Sequence, residues 1–230
     1  MSNSRLTLEL FNEVRNEMKE KEKRAPIFDM AQKLVELERR TEAYLLLLAT
    51  WDFANLRYSM SKFTIPEFES HVSHLEDYSK EFSDLTFESC GFKDKEKEIK
   101  EIFENMQSYK VLDTKNRERP VIGTTEASKL MHLRYPNFFI MWDSYIRGNY
   151  PQKYSKNVDK RLIDIGWEYK RYTPSGKGYY EFMSDMWDFF KPVFNEFKDK
   201  TTTLPKAIDE FNYVAITLPL RKIQRLREDQ

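Results

Sequence analysis

The sequence predicts a mostly α-helical protein, and three observations support this prediction. Apolar residues recur at helical spacing in most segments, and only one short stretch resembles a strand. Only 6 glycines and 9 prolines interrupt the 230 residues, which favours long elements. The 17 Phe, 13 Tyr and 4 Trp residues supply the large side chains of an aromatic core. We therefore expect a single helical domain over residues 1–230.

Four helices are predicted in the first half of the chain, over residues 6–22, 27–38, 42–58 and from Thr64 onward. The first carries apolar residues four positions apart, which is typical of an amphipathic helix. Pro26 separates it from the second, because proline removes a backbone donor. Thr41 is the expected N-cap of the third, whose centre is apolar almost all round and therefore suits the middle of a core.

Further helices are predicted over residues 93–109, 124–135 and 178–200. A loop is expected over residues 117–123, ahead of the middle one of these helices. Pro192 is expected to kink or divide the last one. Residues 213–220 are the one stretch that favours a strand.

The composition excludes several functional classes. Lys+Arg and Asp+Glu both number 38, which excludes a globally basic nucleic-acid coat and a globally acidic tail but leaves a local patch open. The single cysteine, Cys90, excludes an internal disulfide framework, a four-cysteine zinc site and a cysteine-ligated iron–sulfur cluster within the chain.

No membrane or export signal is found in the sequence. The first residues are polar, and the longest apolar run, residues 43–49, is far shorter than the roughly 20 residues that cross a bilayer. We therefore expect a cytoplasmic protein with no membrane partner.

The segment 117–147 carries the most chemical information. Pro120 fixes the backbone angle φ of a tight turn, and Gly123 permits geometries that other residues resist. The helix behind the turn begins with Gly123, Thr124 and Thr125, whose backbone N–H groups lack helical partners. Such a helix start is a candidate phosphate site that needs no basic side chain.

One carboxylate, Asp143, follows the apolar run 138–142 in the same segment. A carboxylate beside an apolar wall is a candidate for a raised pKa and for catalysis in a water-poor pocket. The alternative is chemically ordinary, because Asp143 is also well placed to cap a helix that begins at Ser144.

At these residues the sequence resembles the helix-hairpin-helix DNA glycosylase superfamily, which includes endonuclease III and the adenine mismatch glycosylases. The hairpin of that family reads approximately Leu-Pro-Gly-Val-Gly-x-Lys/Ser-x-Ala. Pro120, Ile122, Gly123 and Ala127 fall in register with it. Its essential aspartate follows at a fixed interval, and the segment Trp142-Asp143-Ser144-Tyr145-Ile146-Arg147 matches that position without a gap.

The resemblance implies a helix-hairpin-helix glycosylase fold with additional N- and C-terminal helices. Its partner would be double-stranded DNA with a flipped base. Backbone amides at Gly123, Thr124 and Thr125 would hold a DNA phosphate, together with a monovalent cation at the hairpin. Asp143 would stabilise the oxocarbenium-like sugar or orient water, and Lys129 and Arg147 would be further DNA contacts. No metal ligand and no organic cofactor is expected.

Three departures from the family pattern refine this expectation. Val121 replaces the first hairpin glycine, and Arg119 replaces the leading leucine. Thr125 stands where bifunctional members carry the lysine that forms a Schiff base. Threonine has no amine, so the resemblance implies a monofunctional glycosylase. Lys129, one helical turn further on, is a remote candidate for a displaced nucleophile.

Two other functional classes remain open at this point: a DNA-binding helix-hairpin-helix module without activity, and a helical protein-interaction adaptor. Residues 147–177 hold eight basic side chains against three acidic ones, with Tyr and Trp interleaved. This pattern fits nucleic-acid binding and a solvated surface equally well.

Single residues elsewhere carry weaker signals. Trp51 and Asp52 interrupt an apolar helix and either pack in the core or line a base pocket, with packing favoured. His71 and His74 share a helix face, but without a third ligand we expect them at the surface. His132 is expected in the core.

Overall fold

The computed structural model describes residues 5–21, 25–51, 53, 56–57, 62–112 and 115–228, and this part of the chain is mostly α-helical, as the sequence predicts. The helices are α1 (Leu8–Lys21), α2 (Ala25–Glu36), α3 (Arg40–Trp51), α4 (Ile65–Val72), α5 (Ser79–Phe82), α6 (Glu96–Ser108), α7 (Thr124–Arg134), α8 (Lys160–Asp164), α9 (Gly176–Phe190), α10 (Leu204–Asn212) and α11 (Leu218–Glu228). Short 3₁₀ turns cover Ser73–Tyr78, Cys90–Lys95, Gln152–Asn157 and Lys191–Val193.

The N-terminal helices follow most of the helix-start signals in the sequence. Helices α2 and α3 pack side by side, and α1 packs on α10 from the other end of the chain. Helix α4 starts with a capping box, in which Thr64 and Glu67 satisfy each other's backbone N–H groups, as its predicted start requires. Helix α3 begins at Arg40, so Thr41 lies inside its first turn and is not the N-cap. The predicted end of this helix, Tyr58, and Asp52 lie outside the described residues.

The centre of the fold is a helix, a two-stranded ribbon and a second helix. Strands β1 (Lys110–Leu112) and β2 (Glu118–Pro120) pair antiparallel between α6 and α7, and the two helices pack together. Part of the predicted loop 117–123 is therefore a strand. In this chain the ribbon precedes the turn into α7. The helix-hairpin-helix fold itself stays a prediction.

The C-terminal region corrects one sequence prediction. Residues 213–220 are not a strand but a π-helical turn, Tyr213–Thr217, that runs directly into α11. Val214, Ala215 and Ile216 are all buried. Their apolar and β-branched side chains resemble a strand pattern, yet burial on all sides suits a helix equally well. The long helix predicted over 178–200 ends at Phe190, with Pro192 in the 3₁₀ turn behind it.

An aromatic core occupies the middle of the molecule. Buried apolar residues from all parts of the chain form one cluster. At its centre the rings of Phe103 and Tyr179 stack with centroids 4.7 Å apart, and Trp142 meets Tyr179 edge-on. Residues 138–142 cross this core without regular secondary structure, and all five are buried.

Two histidines belong to the buried part of the structure. His132 is fully buried, as predicted, and its Nδ1 donates to the Phe139 carbonyl at 2.6 Å. His71 is also buried and bonds the Met106 carbonyl, so the surface prediction is wrong for His71 and right for the exposed His74. The His71 ring also packs against the Tyr109 ring, with centroids 5.2 Å apart.

His132 makes the stability of the protein depend on pH. Burial lowers the pKa of His132 to about 3, against 6.5 in an unfolded chain. Below pH 6.5 His132 therefore binds a proton in the unfolded state but not in the folded state. Each pH unit below 6.5 lowers the free energy of unfolding by up to about 1.4 kcal/mol through this residue.

Urea unfolding at pH 7, 6 and 5 should show a shallower pH dependence in His132→Gln. His74→Gln is the control, and equal slopes in His132→Gln and wild type would contradict the assignment.

Candidate functional site

A cleft of about 540 Å³ lies between α3, α7, residues 141–146 and the C-terminal helices. Its charged lining consists of four cations and three carboxylates: Lys129, Lys206, Arg221, Arg225, Glu126, Asp143 and Asp209. Its apolar lining includes the aromatic side chains of Phe28, Trp51, Trp142, Tyr145 and Tyr213. Aromatic walls are typical of a small-molecule or base pocket, whereas seven charged side chains are more than such pockets usually hold.

Asp143 reaches this cleft because the apolar run before it is fixed in the core. The Trp142 indole donates to the Thr124 carbonyl at 2.9 Å, and the Trp142 backbone N–H donates to the Ser128 hydroxyl at 3.2 Å. Both partners belong to α7. The chain therefore leaves the core beside the first turns of α7, and Asp143 is the first polar residue it presents.

Three hydrogen bonds hold the Asp143 carboxylate. Its Oδ1 accepts from the backbone N–H groups of Tyr145 at 2.8 Å and Ile146 at 2.9 Å. Its Oδ2 accepts from the Thr217 hydroxyl at 2.7 Å. Asp143 thus caps a single helical turn over residues 144–148, which is the ordinary structural role that the sequence left open. The same carboxylate also lines the cleft.

The surroundings of Asp143 act on its pKa in opposite directions. Burial raises the pKa, while the N–H of Ile146, the Thr217 hydroxyl and the positive charge of Lys129 lower it. Burial is the larger effect, so the pKa lies above its ordinary value of 3.8. The ionised carboxylate is less well stabilised here than in water, and a nearby positive charge would relieve this.

The predicted phosphate site at the start of α7 already holds a protein carboxylate. Gly123 is the N-cap of α7 in an ordinary extended conformation, with φ −76° and ψ −178°. The Glu126 side chain folds back over it, and its Oε2 lies 2.3 Å from where a Cβ on residue 123 would stand. A side chain at Gly123 would displace Glu126. A phosphate bound to the amides of Gly123, Thr124 and Thr125 would have to displace the same carboxylate.

The other predicted contacts are divided between two places. Thr125 and Lys129 line the cleft with Asp143, and the Lys129 ammonium lies 5.8 Å from the centre of the Trp51 ring. Trp51 packs against the core, as the sequence analysis favoured, and it also lines the cleft. Arg147 lies over the face of Trp142, 5.8 Å from its ring centre, beside the cleft rather than in it.

The C-terminal helices contribute residues that the sequence did not single out. Thr217 holds Asp143, and Lys206, Tyr213 and Arg221 line the cleft. Lys206 pairs with Asp209 at 3.1 Å, and burial, which lowers its pKa, is outweighed by Asp209 and Glu210, which raise it. The Lys206 amine is therefore a fixed ammonium charge and not a nucleophile at neutral pH.

The basic segment 147–177 is partly neutralised. Arg161 bonds the carboxylates of Glu17 and Asp159 at 2.7 Å each, and Lys170 pairs with Asp185 at 2.5 Å. The basic side chains of the segment that form no such pair are the candidates for binding an anionic partner.

Within the described ranges, no group of three or more His, Cys, Asp and Glu side chains is placed to hold a metal ion. No helix in the described part of the chain combines the length and the apolar character that crossing a membrane requires. Comparisons with protein-family models, with curated proteins and with solved structures give no match for this chain.

Removal of the Thr217 hydroxyl should raise the pKa of Asp143 further. Thr217→Val keeps the shape of the side chain but removes the donor to Oδ2, and the unpaired oxygen should cost about 1–3 kcal/mol of unfolding free energy at pH 7. A ¹³C NMR titration of the carboxyl groups measures the pKa. Thr50→Val is the matched control, because Thr50 bonds only the Leu46 carbonyl in its own helix. An unchanged Asp143 titration would show that Thr217 does not tune the site.

Proposed function

We propose that this protein is a monofunctional DNA glycosylase, which hydrolyses the N-glycosidic bond of a damaged or mismatched base. One observation carries the proposal. Asp143, the carboxylate that the sequence resemblance selects, lies in the wall of the main aromatic cleft and is fixed there by three hydrogen bonds. The proposal rests on this coincidence of sequence motif and geometry.

The cleft suits a flipped base. Its volume of about 540 Å³ lies in the range of small-ligand pockets, about 300–1,000 Å³. Trp51 and Tyr145 offer flat faces, on which a base that has left the duplex can stack. Lys129 and Arg221 supply positive charge beside a DNA strand.

Asp143 would act on the sugar. When the bond between the base and C1′ breaks, the base leaves with the bonding electrons and the sugar becomes positively charged. A water oxygen then attacks C1′ and releases one proton, and the base takes up one proton, so that one water molecule is consumed. A poorly solvated carboxylate held in place stabilises this developing charge without reorganising. The backbone N–H groups of Tyr145 and Ile146 keep the carboxylate in position during the reaction.

The cleft favours hydrolysis over Schiff-base chemistry. Thr125 occupies the position of the family lysine and lines the cleft. Lys206 is held as an ammonium by Asp209. The expected product is therefore an intact strand with an abasic site.

The decisive variant is Asp143→Asn. Asn keeps an oxygen for the two backbone N–H groups and is as good a helix cap as Asp, so the free energy of unfolding should change by less than about 1 kcal/mol. Single-turnover excision should fall about 10²–10³-fold, the usual cost of removing one transition-state charge. The measurement uses duplexes with uracil, 8-oxoguanine, hypoxanthine, alkylated bases and mismatches, read with and without alkali.

The second candidate is a DNA-binding module without activity. The observation that favours it is the helix-capping role of Asp143, which accounts for this carboxylate without any catalysis. Salt-sensitive duplex binding without excision of any base in the panel would establish this module instead. A protein that neither excises nor binds would be the helical adaptor, and the DNA proposal would be wrong.

A further inference from the structure

Two arginines beside the cleft lack the carboxylate partners that other arginines of this protein have. Arg15 bonds Asp199 and Glu210, Arg134 bonds Glu76, and Arg161 bonds three carboxylates. Within the described residues, no carboxylate lies within 4.0 Å of the guanidinium of Arg147 or Arg171. The Nε of Arg147 is buried and has no hydrogen-bond partner there. A partly buried guanidinium without a carboxylate beside it is costly, and an anionic ligand would compensate its charge.

The backbone brings these two residues together. The Tyr172 N–H donates to the Arg147 carbonyl at 3.0 Å, so the segments 143–149 and 169–172 run side by side. Between them lies Gly148, with φ +75°, where a Cβ would come within 3.0 Å of the Arg171 Cα. Only glycine permits this close approach. Arg171 also reaches across to the Asn149 side-chain oxygen at 3.3 Å.

The contact is rigid and electrostatically unfavourable. The Tyr169 hydroxyl donates to the carbonyls of Gly148 at 2.9 Å and Tyr150 at 3.0 Å, which fixes the two segments to each other. Burial lowers the pKa of Arg147, and the neighbouring positive charge of Arg171 lowers it further. Glu126 and Asp143 attract Arg147 from beyond ion-pair distance and offset this in part. Like charges held together in a rigid frame are stabilised by a shared anion.

We propose that Arg147 and Arg171 form a phosphate-binding site next to the cleft. Guanidinium N–H groups match the geometry of phosphate oxygens, and two guanidiniums can hold one phosphate from two sides. Trp142 lines the cleft and lies under Arg147, so a phosphate at this pair is a neighbour of any base in the cleft. The ligand is a phosphate group, carried either by a DNA backbone or by a small molecule; only the DNA carrier rests on the proposed function.

The main test is the salt dependence of DNA binding in Arg171→Gln. Arg171 is exposed, so this variant should fold, and thermal unfolding verifies it. The probe is a fluorescent 20-base-pair duplex with an abasic-site analogue, titrated at 50–200 mM KCl. Each phosphate contact contributes about −0.9 to the slope of log K against log salt concentration, so the slope should become shallower by about 0.9. Arg147→Gln should have the same effect, and the double variant should lose no more than either single one, since one phosphate is shared.

The matched control is Lys156→Gln, which removes one positive charge from the same basic segment at an exposed position. It should leave the slope unchanged. An equal effect of Lys156→Gln and Arg171→Gln would show diffuse attraction and overturn the proposal. A second arm follows the ³¹P line width of inorganic phosphate with each protein. Broadening by wild type that Arg171→Gln abolishes, with no change in the DNA slope, assigns the site to a small-molecule phosphate. No dependence on Arg171 in either arm overturns the proposal.

These outcomes separate the phosphate site from the glycosylase proposal. Asp143→Asn should retain the wild-type salt slope, because Asp143 is not part of the arginine pair. A slope that depends on Arg171 without any base excision supports the phosphate site and removes the glycosylase. Excision that depends on Asp143, with neither the salt slope nor the ³¹P broadening dependent on Arg171, supports the glycosylase and removes the phosphate site.

Discussion

The structure depends on how the irregular, buried segment 138–142 satisfies its backbone. A chain that crosses a core without helix or strand partners leaves polar groups that are costly to bury. Side chains from neighbouring helices meet this need. His132 donates to the Phe139 carbonyl, the Tyr179 hydroxyl donates to the Ile140 carbonyl at 2.7 Å, and Ser128 bonds the Trp142 backbone. These bonds explain why polar residues occur in the core.

The same arrangement delivers the functional carboxylate. Since the segment cannot shift along the core without breaking these bonds, Asp143 leaves it at a fixed point beside α7. The π-helical turn then places Thr217 opposite, and the carboxylate is held from both sides. Single π turns within helices are frequent at functional sites, because the extra residue re-aims side chains that a regular helix would direct elsewhere. Here Tyr213 and Thr217, at the two ends of this turn, both face the cleft.

The charged side chains in and near the cleft differ in how far an opposite charge compensates them. Around the cleft, Lys206 is held by Asp209, and on the far side of α10 Arg15 is held by Glu210 and Asp199. These pairs satisfy charges that would otherwise be buried alone. Arg147 and Arg171 have no carboxylate within ion-pair distance in the described residues, while Asp143 is partly compensated by Lys129. The paired charges of Lys206 and Arg15 therefore stabilise the fold, whereas Arg147 and Arg171 are available to a ligand.

The sequence alone predicted most helix positions, the apolar run that ends at Asp143 and the helix start at Thr64, because helical periodicity and helix-start signals act over a few residues. It mistook the helical residues 213–220 for a strand, since buried β-branched residues suit either element. Three contacts are visible only in the tertiary structure. Thr217 bonds Asp143, 74 positions away, Trp51 lines the same cleft, and the Glu126 side chain lies over Gly123. Contacts between distant segments follow from how helices pack, and a single sequence carries no local signal for them.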